Sequence, residues 1–252
     1  MLEKIHRYIF KICQKTPVVR ILHEMWLRLK CAKTYQKDAF VLKENAFEYI
    51  YKYNIWNCRE SRSGGGSALS ATTVIRKELP LIWGKYNIKT FLDVPCGDFN
   101  WMRKVEKKDI EYIGGDIVEE LIKRNNELYE TPQVKFLKID ITKDALPKTD
   151  MIFCKDCLQH LSYESIYKAL QNFKRSGAEY LMVTSYPLTI KNHDILDGDY
   201  RPLNLFKKPF SLRKNYIYKV GEKSKGRDLE IDKTMYLWKI SDMSKSKDLK
   251  KP

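Results

Sequence analysis

Short apolar segments alternate with amphipathic segments from Ser70 onward, and this alternation is what most limits the fold of the chain. The apolar segments have the length of buried strands, and the segments between them have helical spacing. Strands that alternate with helices build an α/β fold with a mostly parallel sheet and helices on both faces. The last two of seven strands, separated by a polar turn at 221–228, instead predict an antiparallel edge hairpin. We predict strands at 90–94, 112–115, 134–139, 151–154, 180–185, 216–220 and 234–240, and helices near 70–86, 118–129 and 163–173.

The N-terminal residues 1–60 predict a basic helical extension that precedes the α/β domain at 61–240, and residues 241–252 predict a disordered tail. The extension contains two amphipathic patterns, at 2–12 and 21–29. Helices of this kind dock on their own domain, bind a partner, or lie on a membrane surface. The sequence leaves these alternatives open.

The formal charge of +15 lies at the two ends of the chain. Residues 1–60 carry 12 basic against 6 acidic side chains, 207–252 carry 14 against 6, and 61–206 carry 21 against 20. A nearly neutral middle argues against nucleic acid as the partner of the domain. No apolar run reaches the roughly 20 residues of a membrane span, and the start lacks a signal-peptide layout. With six cysteines in no disulfide pattern, we expect a soluble, cytoplasmic protein of unknown oligomeric state.

Carboxylates end three successive predicted strands. The first strand runs into the turn Pro95-Cys-Gly-Asp98, where a single glycine, Gly97, permits close approach of a ligand to the backbone, and we predict that a helix begins near Phe99. Asp116 ends the second strand, where an acidic residue accepts hydrogen bonds from a ribose, and Asp140 follows the third. In a parallel sheet these ends share one rim, so the pattern predicts a nucleotide-like ligand there. The alternative is that Asp116 and Asp140 cap the elements that follow them.

These motifs resemble motifs I to IV of the class I S-adenosylmethionine-dependent methyltransferases, over roughly residues 61–240. The strings that carry the resemblance are Leu92-Asp-Val-Pro-Cys-Gly-Asp98, Gly114-Gly-Asp116, Ile139-Asp140 and Asp150-Met-Ile-Phe-Cys154. The string Ser61-Arg-Ser-Gly-Gly-Gly-Ser67, with Asp93 to Trp101, also resembles a bacterial subgroup linked to surface-polysaccharide synthesis. Pro95 and Cys96 depart from the common form of motif I, which often has Gly-Cys or Gly-Ser there.

The resemblance implies a Rossmann-like fold and S-adenosyl-L-methionine as cofactor. It also implies which part of the cofactor several residues contact. A plain linker is the alternative for the loop at 61–67. The implied contacts are the methionine end for Asp93 and Gly97, the ribose for Asp116, the adenine for Asp140 with Ile141, and the methionine carboxylate for Ser63, Gly64 and Ser67. Pro95 and Ile117 are also implied to contact the cofactor, without an assigned part of it.

An acceptor hydroxyl needs a group that removes its proton, and the segment after the fourth strand offers two. A histidine is suited to proton removal near neutrality because its unperturbed pKa lies close to that range, so His160 is one candidate. Asp156 is the other, to orient His160 or to bind the acceptor. The alternative is that His160 shapes the loop. Cys154 and Cys157 form a lone C-x-x-C without a second ligand pair, so we predict a buried thiol rather than zinc. A magnesium site at Asp156 and His160 is a further alternative, but we predict no metal.

The long connection at 184–205 has little periodicity, and such loops in compact domains are often functional. Its polar and aromatic side chains suit a hydroxyl-rich or phosphorylated ligand. Alternatively they bond the loop's own backbone. The residues predicted to bind the acceptor are Tyr186, Asn192, Asp194, Arg201 and Asn204.

Three functions remain. We favour O-methylation of a carbohydrate hydroxyl, on a nucleotide-sugar or a capsular or lipopolysaccharide precursor. RNA or small-molecule methylation is the alternative enzyme activity, although no Asn-Pro-Pro-Tyr or Asp-Pro-Pro-Tyr string of amine methyltransferases is present. An inactive methyltransferase-fold scaffold is the alternative without activity, and the three strand-end carboxylates argue against it.

Overall fold

The structure is a computed structural model that describes residues 42–222 and 232–243. Within these ranges the α-helices are α1 (Leu42–Tyr53), α2 (Thr73–Lys85), α3 (Glu119–Tyr129) and α4 (Tyr163–Arg175). The strands are β1 (Thr90–Asp93), β2 (Glu111–Asp116), β3 (Val134–Lys138), β4 (Met151–Cys154), β5 (Tyr180–Ser185), β6 (Tyr218–Gly221) and β7 (Thr234–Lys239).

The strands form one seven-stranded sheet in the order β3-β2-β1-β4-β5-β7-β6. The first five strands are parallel, whereas β7 runs antiparallel to both β5 and β6. The predicted mostly parallel sheet with an antiparallel edge hairpin is therefore confirmed. β1 lies between β2 and β4, so Asp93 pairs with Gly114 on one side and Phe153 on the other.

Alternate residues of the strands build two apolar cores, one on each face of the sheet. Phe91 and Phe153 point to the face that α2 and α3 cover. Leu92 and Ile152 point to the opposite face, which α4 covers. Because side chains alternate along a strand with a period of two, a strand covered on both faces is mostly apolar. β4 and β5 have this character and are fully buried.

The segment after the turn of β1 differs from our prediction. We predicted a helix beginning near Phe99, and this was wrong, because Phe99 has a left-handed φ of +57° that cannot start a right-handed helix. Asn100 donates from its side chain to Glu60 Oε1 (2.8 Å) and to the Ser67 carbonyl (3.1 Å). These bonds anchor the segment to the loop at 61–67. A single 3₁₀ turn, Met102–Lys104, follows.

Helix α1 belongs to the predicted N-terminal extension and packs against the domain. Ile50 and Tyr51 are buried, and Phe47 packs against both apolar cores. The two amphipathic patterns at 2–12 and 21–29 lie outside the described residues, as does most of the predicted tail. Within the described ranges, no helix has the length and apolar character that crossing a membrane requires.

Candidate active site

A cavity of about 270 Å³ opens at the carboxyl ends of β1, β2, β3 and β4. Gly64 and all five residues predicted in the long loop are absent from its lining. The structure thus brings together most of the predicted cofactor residues and both catalytic candidates. The predicted residues that line the cavity are Ser63, Ser67, Asp93, Pro95, Gly97, Asp116, Ile117, Asp140, Ile141, Asp156 and His160.

The turn after β1 is held in a glycine-dependent shape. Gly97 has a φ of +56°, and a Cβ there would collide with the Ser63 hydroxyl. The Gly97 N–H donates to Asp116 Oδ2 (3.1 Å), and its carbonyl accepts from Asn125 Nδ2 (2.8 Å). The Val94–Pro95 peptide in this turn is cis. The turn is thereby tied to the end of β2 and to α3.

The Ser-Gly loop is bonded to the same turn through Asp98. Ser61 Oγ donates to Asp98 Oδ1 (2.8 Å), and the Arg62 N–H donates to Asp98 Oδ2 (2.8 Å). In return, the Asp98 N–H donates to Ser63 Oγ (2.8 Å). Trp56 packs over Gly64, whose φ is +86°. The loop is therefore an ordered wall of the cavity, unlike the plain linker that was its alternative.

Two of the three strand-end carboxylates are buried, and burial changes their protonation. Burial raises the pKa of Asp93 to about 7, although the hydrogen bond from the Tyr112 hydroxyl (2.7 Å) opposes the change. Burial likewise raises the pKa of Asp116 to about 6, opposed by the N–H groups of Val118 and Gly97. A cationic or hydrogen-bond-donating ligand would stabilise the ionised form of both carboxylates.

Asp140, at the third strand end, is partly buried and stays ionised. Partial burial opposes ionisation, but hydrogen bonds from the Thr142 hydroxyl (2.7 Å) and N–H (2.9 Å), with Lys143 nearby, hold the pKa of Asp140 below its usual value. One of its oxygens thus caps the turn that follows β3. Asp140 also lines the cavity, so capping and ligand contact are compatible.

His160 lies on the cavity wall in a defined tautomer. Its Nδ1 is 2.9 Å from the Asp199 carbonyl oxygen. A carbonyl only accepts hydrogen bonds, so in the neutral ring Nδ1 carries the proton and Nε2 is the basic nitrogen. The rings of Trp56 and Tyr200 flank the imidazole, with centroids at 5.1 and 5.5 Å. The ring is therefore fixed by both a hydrogen bond and packing.

Asp156 follows β4 and is held among lysines that the sequence analysis did not single out. Its Oδ2 accepts from Lys155 Nζ (2.5 Å) and from Lys233 Nζ (2.6 Å). Burial opposes ionisation, but the two ammonium groups outweigh it and hold the pKa of Asp156 far below its usual range. Asp156 is therefore a permanent anion and a poor proton acceptor. Lys233 could not be predicted from a local pattern because it reaches Asp156 from the edge hairpin, just before β7.

The long loop places its predicted residues in its own framework. Asn192 Nδ2 donates to the carbonyls of Asn204 (2.8 Å) and Lys208 (2.9 Å), and Asn204 Nδ2 donates to those of Pro187 (3.0 Å) and Thr189 (2.8 Å). These amides organise backbone, as the alternative reading of the loop had it.

The other three predicted loop residues have similar surroundings. Asp194 Oδ1 accepts from the Tyr163 N–H (2.7 Å) at the start of α4. Arg201 is buried, donates to the Gln159 carbonyl (3.4 Å) and lies over the Tyr163 ring, while Tyr186 is also buried. The loop instead reaches the cavity through Asp197, which the sequence analysis did not select.

No three His, Cys, Asp or Glu side chains converge as metal ligands anywhere in the described parts of the chain. Cys154 is buried, and burial raises the pKa of its thiol well above the usual value. Some of the lining residues that sequence reasoning missed come from α1 and the segment after it. They include Phe47, Glu48, Tyr51 and Trp56.

Residues 91–178, from β1 to just past α4, match the model of a family described as a methyltransferase domain. No curated protein sequence matches the chain significantly.

Solved structures of several methyltransferases have a similar fold. Human N-acetylserotonin methyltransferase in complex with S-adenosylmethionine is 13% identical over 84% of this chain and 66% of that one, with a TM-score of 0.57. The N-methyltransferase NodS from Bradyrhizobium japonicum WM9, with S-adenosylhomocysteine, is 10% identical over 78% and 98%, with a TM-score of 0.57. Magnesium protoporphyrin IX methyltransferase (ChlM) from Synechocystis PCC 6803, also with bound S-adenosylhomocysteine, is 11% identical over 79% and 97%, with a TM-score of 0.52.

At these identities the likeness shows the fold, which is the Rossmann-like fold of the class I S-adenosylmethionine-dependent methyltransferases. The solved structures hold the cofactor or its demethylated product, in agreement with the predicted cofactor. Their names cover different acceptors, so they do not select one for this chain.

Proposed function

We propose that the protein is an S-adenosylmethionine-dependent methyltransferase that methylates a hydroxyl of a carbohydrate. One observation supports the enzyme class: the Gly97 turn and the strand-end carboxylates Asp93, Asp116 and Asp140 line the same cavity. When bound, the cofactor supplies an electrophilic methyl group on a sulfonium. We assign Asp116 as the acceptor of hydrogen bonds from ribose hydroxyls. We assign the buried Asp93 to the cationic end of the cofactor, where its ionised form offers negative charge.

The Ser-Gly loop supports cofactor binding from the other side of the cavity. Ser63 and Ser67 line the cavity, and Asp98 fixes the loop against the turn after β1. A preorganised loop loses little conformational entropy when it contacts the methionine carboxylate. Helix α1 covers the cavity through Phe47 and Tyr51, which helps to exclude water.

The acceptor end suits a hydroxyl nucleophile. His160 is held with Nε2 as its basic nitrogen, and we assign it as the general base that takes the proton of the attacking hydroxyl. Asp156 remains ionised and serves as a hydrogen-bond acceptor.

A sugar is the acceptor that best fits the remaining lining. Aromatic faces from Tyr51 and Trp56, with the carboxylates of Asp156 and Asp197, suit an apolar ring face edged by hydroxyl groups. The resemblance of the Ser-Gly loop and motif I to a subgroup linked to surface polysaccharides supports the same choice. RNA is the second candidate, and the nearly neutral charge of residues 61–206 does not favour it.

A two-stage experiment tests this proposal. Calorimetry on the purified chain measures binding of S-adenosylmethionine and S-adenosylhomocysteine. Mass spectrometry then detects methyl transfer to a pool of nucleotide-sugars and, in parallel, to total RNA. Binding of both compounds with methylated nucleotide-sugar is the expected result. Methylated RNA alone would contradict the carbohydrate assignment, and absence of cofactor binding would contradict the enzyme class.

A further inference from the structure

Four charged side chains form a closed group beside the acceptor end of the cavity, which we call the charge quartet: Lys155, Asp156, Glu222 and Lys233. Besides the two bonds to Asp156, Glu222 lies 3.4 Å from Lys155 Nζ and 3.1 Å from Lys233 Nζ. The side chains of Lys155, Glu222 and Lys233 are at most 4% exposed, whereas Asp156 is 21% exposed. The quartet contains two cations and two anions, so its charges balance.

Only Asp156 and Lys155 of the quartet line the cavity. Lys155 Nζ already donates to Asp156 and to the Gly66 carbonyl (3.1 Å), and it faces Glu222. It therefore donates two hydrogen bonds and pairs its charge with a second carboxylate. Asp156 is the member with capacity for a ligand.

The geometry around Asp156 leaves one of its oxygens for that ligand. Oδ2 accepts from both lysines, and a Cβ on Gly66 would lie 2.5 Å from it. Oδ1 accepts from Gln159 Nε2 (3.1 Å) and, as a carboxylate oxygen, has room for another donor. The Asp156 N–H donates to Thr184 Oγ1 (2.9 Å), which fixes the backbone at its φ of +53°.

We propose that Lys233 and Glu222 are positioning residues that, with Lys155, keep Asp156 ionised and aligned, so that Oδ1 receives a hydroxyl or ammonium donor of the acceptor. This inference rests on the proposed function, and it names the chemistry at one end of that site. An anionic group would meet the negative charge of Asp156, while the lysine charges that could attract it are already used by the two carboxylates. The quartet therefore selects a neutral or cationic donor at this point of the acceptor.

Other titratable groups face the same cavity and must be separated from Asp156 in any pH experiment. Cys157 and His160 follow it in the chain. The remaining charged or titratable groups in the lining are Glu48, Tyr51, Arg62, Asp93, Cys96, Asp116, Asp140 and Asp197. A probe specific to the Asp156 carboxyl carbon is therefore required.

The experiment uses the full chain with ¹³Cγ-labelled aspartate, and the Asp156 signal is assigned by its loss in Asp156→Asn. We expect no titration of the wild-type signal between about pH 5 and about pH 8. In Lys233→Met, one lysine remains for two buried carboxylates, so a titration step should enter this range. In the double variant Lys233→Met/Glu222→Gln the charges balance again, and the step should disappear. If Lys233 and Glu222 only fill space, the double variant should show the same titration step in the Asp156 signal as Lys233→Met.

If Lys233→Met fails to fold, the charge-balanced double variant takes its place in the test. Glu222→Gln alone is the control, and its Asp156 signal should show no titration step. A titration step of the wild-type signal between about pH 5 and about pH 8 would overturn the proposal, as would a folded Lys233→Met protein without such a step.

A second experiment tests the chemistry of the ligand with ethanolamine and inorganic phosphate, each added to protein loaded with S-adenosylhomocysteine. Ethanolamine should move the Asp156 signal and phosphate should not, and the reverse result or an unmoved signal contradicts the selection of a donor. These readouts need no methyl transfer, so they fail separately from the proposed function.

Discussion

Gly97 and Asp116 are joined by a hydrogen bond of 3.1 Å from the Gly97 N–H to Asp116 Oδ2. The bond links the turn after β1 to the end of β2, and Asp116 Oδ1 accepts from the Val118 N–H (3.1 Å) at the start of α3. One carboxylate thus fixes the glycine turn and presents itself to the cavity. The candidate cofactor site is therefore built across two strand ends.

Replacing Asp116 should weaken cofactor binding. Asp116→Ala removes a charge-assisted hydrogen-bond acceptor, which we expect to cost roughly 1.5 to 3 kcal/mol of binding free energy. Calorimetry with S-adenosylhomocysteine measures the loss. Asp109→Ala is the matched control, because Asp109 is exposed and outside the cavity. Unchanged affinity in a folded Asp116→Ala protein would remove Asp116 from the site.

Cofactor affinity should depend on pH through the two raised carboxyl groups. The pKa of Asp93 is about 7 and that of Asp116 about 6 in the protein without cofactor. A cationic ligand favours the ionised carboxylates, so binding releases protons, and affinity should fall as pH drops through about 7 and then about 6. The limit is about tenfold per pH unit for each group.

Calorimetry in buffers of different ionisation enthalpy measures the protons released on binding. Asp93→Asn should abolish the step near pH 7 and leave the step near pH 6. Affinity that is constant from about pH 5.5 to about pH 8, without proton release, would show that neither carboxylate contacts the charged part of the cofactor.

The strand-end carboxylates were predictable because the positions follow from a local rule. A parallel sheet brings the ends of its strands to one rim, so Asp93, Asp116 and Asp140 had to share that rim once the strands were recognised. No such rule predicts the positions of Lys233 and Glu222. They reach Asp156 through the pairing of β6 with β7 and of β7 with β5, which no short sequence window encodes.

Two segments have contacts in the structure that their sequence patterns did not indicate. The helix near Phe99 was predicted from its place after a strand, but Asn100 bonds to Glu60 and Ser67 across the chain and competes with helical hydrogen bonds. In the long loop, Asn192 and Asn204 have the composition of a ligand site. An amide serves a backbone carbonyl as readily as a sugar, so composition does not separate the two roles.

Asn204 should therefore matter for stability. It donates to the carbonyls of Pro187 and Thr189 and accepts from the Phe206 N–H (3.0 Å), all through a buried side chain. Asn204→Ala leaves these groups without partners and should lower the free energy of unfolding by about 1 to 3 kcal/mol. Denaturant unfolding measures this, with the exposed Lys191→Ala as control. A variant as stable as the wild type would contradict the structural role assigned to Asn204.

His160 tests the assignment of the general base. His160→Asn preserves polarity and approximate size but removes the basic Nε2, so turnover should fall about 10²- to 10⁴-fold with nearly unchanged cofactor affinity. His193→Asn is the matched control, because His193 lies outside the cavity lining and its replacement should leave turnover near the wild-type value. In the wild type, turnover should fall at acidic pH, since a protonated imidazole accepts no proton. Single-turnover methyl transfer, followed by mass spectrometry across this pH range, measures both effects.

His160 has a purely structural role if it only bonds the Asp199 carbonyl and packs against the rings of Trp56 and Tyr200. The Asn variant should then keep its turnover, or lose thermal stability together with cofactor binding. A folded, cofactor-binding His160→Asn enzyme with near wild-type turnover would end the assignment. The low pKa of Asp156 would then exclude that residue as the replacement base and direct the search to Asp197 or Asp199 on the neighbouring loop.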